Sequence, residues 1–164
     1  MGSRVLKDAD NQITQKYNAL THRAVDLVKY KGKTCPIIAH TYGTVIWTQT
    51  GQKNNKGSKG NKSYGNCVKI KHSNGYRTLY AHLKNGIKVK KGQKVKQGDL
   101  LGHMGNTGKA AGNHLHYEYY KGGASTKYRV DPEKYTYVYK DQTVSKSKEA
   151  TKGLKYAEGT NSKR

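Results

Sequence analysis

The chain has 164 residues, enough for one domain or one domain plus a tail, and only 33% of them are hydrophobic. No run approaches about 18 consecutive apolar residues, so a transmembrane helix is excluded. With 32 Lys+Arg against 10 Asp+Glu, the net charge of +22 fits either a well-solvated surface or attraction to a polyanion, whether nucleic acid, anionic cell-wall polymer or membrane surface.

Residues 1–20 are polar and read as an N-terminal arm, either one short helix or extended chain. Met1-Gly2-Ser3-Arg4 is not followed by the apolar run of about 7–15 residues that a secretory signal needs, so no signal peptide is expected. From Thr21 the pattern changes. Val25 and Leu27 alternate with polar residues, and Ile37-Ile38 leads to Thr44-Val45-Ile46-Trp47, a β-branched and aromatic run that predicts a strand. Gly51 to Gly65 is rich in Gly, Lys, Asn and Ser without periodicity and reads as a long, exposed, mobile loop. Asn66 to His72 alternates as a half-buried strand does, Ser73-Asn74-Gly75 is a tight turn, and Tyr76 to His82 is the return strand. Lys88 to Gly98 forms a small turn module around Gly92, and Leu100-Leu101-Gly102 is short and apolar. Gly105 to Gly112 is a loop, and His114 to Tyr120 is a further strand. Residues 145–164 lack an apolar period and predict a disordered tail or linker, leaving 21–144 as the folded domain.

Fourteen Tyr, one Trp and no Phe supply the aromatic mass. Tyr suits strands, because its ring packs on a pleated face while its hydroxyl reaches water. Cys35 and Cys67 have neither zinc-ribbon spacing nor disulfide-scaffold density and read as two buried thiols, with a single bridge as the alternative.

Seven histidines are the chemical signal: 22, 40, 72, 82, 103, 114 and 116. His114-Leu115-His116 lies in a predicted strand, so both imidazoles share a face, together with Glu118. Such a pair can share a metal, or one can bind while the other does acid-base work. His22 and Asp26 offer a nitrogen and an oxygen ligand four residues apart, and His82 ends a predicted strand. A catalytic zinc takes three protein ligands and leaves one position for a water, which it acidifies toward neutral pH. A further histidine beside that water can take its proton or support the tetrahedral intermediate. His72 precedes a turn and reads as structural, and Glu118 reads either as a partner that orients a ligand or as an ordinary strand carboxylate.

These elements together resemble the lysostaphin/LytM-like zinc endopeptidases. The resemblance runs from about His22 to Tyr120. It rests on His22 and Asp26, Gly43-Thr44-Val45-Ile46, His72-Ser73-Asn74-Gly75-Tyr76 and Thr78-Leu79-Tyr80-Ala81-His82-Leu83. It continues through Val89-Lys90-Lys91-Gly92, Gly98-Asp99-Leu100-Leu101-Gly102, Gly105-Asn106-Thr107-Gly108 and His114-Leu115-His116-Tyr117-Glu118. It implies a mostly β fold, a compact antiparallel β-sheet with a substrate groove and few helices, of the LytM-like, duplicated-hybrid-motif type. It implies that His22, Asp26 and His116 hold one Zn2+ and that His82 and His114 act on the water without binding the metal. The implied substrate is the stem or cross-bridge peptide of bacterial peptidoglycan. Ala24 stands where the family usually has Gly, and Gly112-Asn113 precedes His114 where Ser/Thr-Gly-Pro is more usual.

The expected protein is therefore a zinc metalloendopeptidase acting on peptidoglycan, of phage or prophage lysin type. It is expected at the cell wall, outside the cell or on a virion, as a monomer or as a domain of something larger. Anionic wall polymers are candidate partners that would use the charge. Two alternatives remain: a catalytically inactive, wall-binding or regulatory relative, and a basic nucleic-acid-binding module, which would leave the histidine constellation unexplained.

Overall fold

Period-2 runs of β-branched and aromatic residues, punctuated by Gly-, Asn- and Ser-rich turns, favour strands throughout. The computed structural model describes residues 4–7 and 11–136. Its strands are β1 (Asn11–Gln15), β2 (Val25–Lys29), β3 (Pro36–Ile38), β4 (Gly43–Gln49), β5 (Asn66–His72), β6 (Arg77–Leu83), β7 (Lys94–Val95), β8 (Leu100–His103), β9 (Leu115–Tyr120) and β10 (Arg129–Val130). One sheet runs β1-β2-β9-β6-β5-β4-β7 with β10 beside β9, and a second pairs β3 with β8. All these strand pairings are antiparallel. Helical segments among the described residues are short 3-10 turns, the longest being Gly60–Tyr64. The expected mostly-β antiparallel fold is borne out. The expected tail, 145–164, lies outside the described residues.

Alternation gives the large sheet two different faces. One buries Leu27, Val68, Ile70, Tyr80, Leu115, Tyr117 and Tyr119, and Ile37 of β3 and Leu101 of β8 belong to the same cluster. Without Phe, that core is built from Tyr, and each buried hydroxyl needs a partner. The Tyr117 hydroxyl pairs with Thr136 Oγ1 at 2.8 Å, and the Tyr119 hydroxyl with His40 Nε2 at 3.3 Å. The Tyr80 hydroxyl accepts from the His40 amide at 2.9 Å and from the Thr78 hydroxyl at 2.8 Å. Burial of His40 thus follows from a core that uses tyrosine for bulk.

The other face of the same strands carries Asp26, His116, Glu118, Tyr120, Leu79, Lys69 and Trp47 and faces a groove. Register explains the assortment: β9 sits between β2 and β6, so Asp26 opposes His116, and Leu79 opposes Glu118.

The N-terminal arm is extended where it is described. β1 pairs with β2, and Val5 and Leu6 are buried in the main core, Leu6 bridging to Ile37. Both cysteines are free and buried, Cys35 in the core and Cys67 on the groove side of β5. Burial pushes the Cys67 thiol up to about 12, which keeps it protonated and unreactive.

The Gly51–Gly65 segment differs from its sequence reading. It is mostly exposed but tied down by hydrogen bonds. The Asn55 amide donates to Gly108 O at 2.8 Å, the Gly108 amide to Lys53 O at 2.9 Å and the Lys109 amide to Ser63 O at 2.9 Å. Asn54 Nδ2 donates to the carbonyls of Asn106 and Ala110, both at 2.8 Å. Gly65 and Gly108 meet backbone to backbone, each with positive φ, and a Cβ on either would collide with the opposite loop. Side-chain-to-backbone bonding carries no hydrophobic period, so the sequence pattern could not reveal this order.

Candidate active site

Opposite positions on paired strands put Asp26 and His116 side by side, and a turn before β2 adds His22. Asn18 and His22 exchange backbone hydrogen bonds of 2.7 and 2.9 Å, while Asn18 Oδ1 accepts from the Leu20 and Thr21 amides. Ala24 is buried and keeps an ordinary negative φ, so the residue at this position does not require glycine. His116 Nδ1 lies 2.9 Å from Asp26 Oδ1, and His22 Nε2 lies 3.4 Å from Asp26 Oδ2. One donor atom from each of the three residues falls within 4.8 Å of the others. A cavity of about 410 Å³ opens over them.

The hydrogen bonds select which atoms remain available. His22 Nδ1 points at Lys16 O, 3.3 Å away, which fixes the proton there and leaves Nε2 as the donor nitrogen. His116 Nε2 is 2.9 Å from Glu118 Oε2, which leaves Nδ1 facing Asp26. Burial opposes a charge on His116, but the bonds to Asp26 and Glu118 outweigh it and lift the pKa to about 9. Burial also pushes the Asp26 and Glu118 carboxyls up, and their bonds to His116 more than reverse that. A metal cation offered Asp26 and His116 would displace the proton they share. Two imidazole nitrogens and a carboxylate at the floor of an open cavity fit a borderline cation such as zinc, which takes three protein ligands in a catalytic site.

His82 and His114 stand beside this cluster, their rings 4.6 Å apart, with His82 5.8 Å from His116. His82 Nδ1 donates to Thr107 O at 2.7 Å, and His114 Nδ1 donates to Gly112 O at 3.0 Å. Among the described residues no hydrogen bond engages Nε2 of either ring, so both keep it as a free acceptor. His82 reaches its position through a left-handed backbone, φ 63°, a conformation non-glycine residues rarely hold. Burial is the main cause that lowers its pKa to about 4, with the neighbouring His114 acting in the same direction. His114 lies one residue before β9 and makes an isolated bridge to Gly105 rather than a strand position, yet it lines the same cavity.

Glu118 has no exposed side-chain surface. Besides His116, it accepts from the Tyr64 hydroxyl at 2.8 Å and from the Tyr120 hydroxyl, and it pairs with Arg129 Nη1 at 3.2 Å. A buried carboxylate with this many donors stays ionised and holds the His116 ring in place.

Residues 20–132 match Peptidase family M23. The chain belongs to peptidase family M23. Within the family, it is 46% identical over 81 residues to peptidoglycan DD-endopeptidase ShyC of Vibrio cholerae, covering 49% of this chain and 18% of that protein. It is 38% identical over 97 residues to the DD-carboxypeptidase/endopeptidase Mpg of Neisseria meningitidis, covering 59% of this chain and 19% of that protein. The matched stretch is thus under a fifth of either relative's length. Among solved structures, the catalytic domain of lysostaphin from Staphylococcus simulans superposes with a TM-score of 0.58 at 25% identity, covering 74% of this chain and 88% of that one. A zinc-containing peptidase from Vibrio cholerae superposes with a TM-score of 0.60 at 29% identity, covering 79% of this chain and 38% of that one. The resemblance to lysostaphin/LytM-like peptidases is borne out, and a metal ion at the site is in keeping with it.

In this M23 domain the five candidate residues His22, Asp26, His82, His114 and His116 line one cavity. His72 and His40 lie away from it, buried in the core. Sequence reading missed Gln15, Ser63, Tyr64 and Lys109, which line the same cavity, and Arg129, which binds Glu118. Tyr64 and Ser63 sit in the segment read as a loop without periodicity, and no spacing in the sequence links Arg129 to Glu118.

Proposed function

We propose that this M23 domain is a zinc-dependent endopeptidase that hydrolyses peptide bonds in the stem or cross-bridge of bacterial peptidoglycan. The convergence of His22, Asp26 and His116 beside two histidines with free Nε2 atoms carries the reading. The names of its relatives, peptidoglycan endopeptidases in which the matched stretch is a minor part, supply the substrate class. His22 Nε2, an Asp26 carboxylate oxygen and His116 Nδ1 would hold one zinc ion. When bound, zinc would acidify a water toward neutral pH and polarise the scissile carbonyl.

The chain's own residues supply the proton handling. His82 and His114 each have the Nδ1 proton committed to a backbone carbonyl, so Nε2 of either ring can accept a proton from an attacking water. The imidazolium so formed donates that proton to the leaving amine, or stabilises negative charge on the carbonyl oxygen. Glu118, fixed by Arg129 and two tyrosines, orients His116 throughout. The net positive charge would hold the enzyme on anionic wall polymers, so salt weakens wall binding more than cleavage of a small soluble peptide.

The test is metal content and turnover together. Protein reconstituted with zinc, desalted and analysed by mass spectrometry should carry one zinc per chain and release soluble peptide from purified peptidoglycan. His116→Ala should carry no zinc and release none. A zinc-free reconstituted protein, or full lysis by His116→Ala, would overturn the proposal.

A further inference from the structure

The groove does not end at the histidines. Across Tyr64 a second cavity, of about 400 Å³, opens on the same face of the sheet, with Trp47, Tyr120, Lys69 and Arg129 on its walls and Leu79 in its lining. Tyr64 lines both cavities, its ring centre 5.8 Å from that of His116 and 6.4 Å from that of Trp47. The second cavity is therefore one aromatic ring away from the candidate metal centre.

Its chemistry is an excess of cation held among aromatic rings. The Lys69 ammonium lies 4.2 Å from the Tyr120 ring centre, and the Arg129 guanidinium 5.4 Å from the same ring. Arg129 is already committed, to Glu118, to the Tyr120 hydroxyl at 3.1 Å and to the Tyr64 hydroxyl at 2.8 Å. Lys69 is not: among the described residues no acceptor hydrogen-bonds its ammonium. Arg77 opposes Tyr120 in the sheet, and its Nε is buried without a partner. Lys69 thus feels two other cations, Arg129 and Arg77, and one carboxylate, Glu118, whose oxygens are taken by His116, Tyr64, Tyr120 and Arg129. Burial holds the Lys69 ammonium below its usual pKa, with Arg129 and Arg77 acting in the same direction and Glu118 against them. An anion entering the cavity would relieve that repulsion and meet donors partly stripped of water, where charge-assisted bonds are strong. Flat aromatic walls favour a flat anion, and the anion that a peptide carries is a carboxylate.

We propose that this cavity is a carboxylate subsite of the substrate groove, in which Lys69 receives a free carboxylate borne by the wall peptide near the scissile bond. The inference rests on the peptidoglycan reading above. Its test is arranged so that either can fail alone. Two synthetic cross-linked stem peptides are compared, identical except that one carries a free branch carboxylate and the other its carboxamide. Zinc-loaded protein should favour the carboxylate peptide by about tenfold in kcat/KM, mostly through KM, the scale of one charge-assisted hydrogen bond. Lys69→Gln should bring that ratio to near one, and Lys69→Arg should keep it. Trp47 is the only tryptophan in the chain, so its fluorescence reports occupancy of the cavity without turnover. Its emission should change with the carboxylate peptide at concentrations where the carboxamide peptide has no effect.

Cleavage without a preference, or a preference that survives Lys69→Gln, overturns the subsite and leaves the endopeptidase reading intact. A Lys69-dependent Trp47 response with neither peptide cleaved does the reverse. A Trp47 response to inorganic phosphate, with the two peptides equal, assigns the cavity to a wall phosphate and overturns the carboxylate.

Discussion

The core face and the groove face of the large sheet both present histidines, and they use them in opposite ways. In the core, both ring nitrogens are occupied. His72 bonds Tyr42 O at 2.8 Å and Thr78 Oγ1 at 2.9 Å. His40 bonds Thr136 Oγ1 at 3.2 Å and the Tyr119 hydroxyl at 3.3 Å. In the groove, His82 and His114 each have one nitrogen fixed to a backbone carbonyl and the other open to the cavity. Acidity does not separate the two groups, because burial brings His72 and His82 alike to about 4. Setting aside His22 and His116, whose second nitrogen meets the carboxylate of Asp26 at the candidate metal centre, the separating feature is the leftover nitrogen: His40 and His72, with both nitrogens satisfied by the core, hold the fold, and His82 and His114, each with a spare acceptor, have chemistry to do.

The largest expected effect breaks the comparison if it fails to appear. His114→Ala should lower kcat by about 10²–10⁴-fold, the usual contribution of a positioned acid-base group, while zinc content and melting temperature stay near those of the parent. His82→Asn should do the same, and Asn is the better replacement there because it tolerates the left-handed backbone. If either variant retains full kcat, a spare nitrogen is not what marks the working histidines.

The core histidines should show themselves in stability instead. His72 has a folded pKa of about 4 against an ordinary 6.5. Between those values the unfolded chain binds a proton that the folded chain does not, so stability rises with pH across the window and is lost on acidification. The full effect is ~3 kcal/mol by linkage. Urea unfolding at pH 7, 5.5 and 4.5 measures it. His82, Asp26 and Glu118 also titrate differently on folding, so the quantity to read is the difference in slope between the parent and His72→Gln. The variant should be less stable at neutral pH and flatter toward acid. Equal slopes would mean that His72 does not stay neutral in the core.

Much of this arrangement was legible in the sequence, for a physical reason. Strand alternation fixes which residues share a face, so the period-2 pattern by itself groups His116, Glu118 and Tyr120. Asp26, His82 and His116 lie on β2, β6 and β9, and His22 and His114 stand just before β2 and β9. The rest was hidden because it depends on contacts that leave no period. β1 is polar and short, yet it pairs with β2. The Gly51–Gly65 segment looks featureless, yet its backbone and Asn54 clamp the loop whose Thr107 carbonyl holds His82. Tyr64 and Arg129, 65 residues apart, meet only because both reach Glu118.

That last contact gives the smallest predicted effect and the sharpest test of where the groove's histidines get their order. Among the described residues, Glu118 is the one fully buried carboxylate that touches a candidate ligand, and it does so through the nitrogen of His116 that faces away from Asp26. A carboxylate there orients the ring and raises its basicity as a ligand. Glu118→Gln keeps the shape and one acceptor oxygen but removes the charge, and its amide cannot accept from Tyr64, Tyr120 and Arg129 together. Zinc affinity, measured by competition with a chromophoric chelator at fixed pH, should fall by about 10–100-fold. Loss of stability alone, with zinc affinity unchanged, would show that Glu118 serves the Arg129 and tyrosine cluster and that Asp26 suffices to aim His116. A fall in zinc affinity at unchanged fold would instead make the groove face one connected device. Its metal ligands would then be set by residues such as Arg129 that never reach the metal.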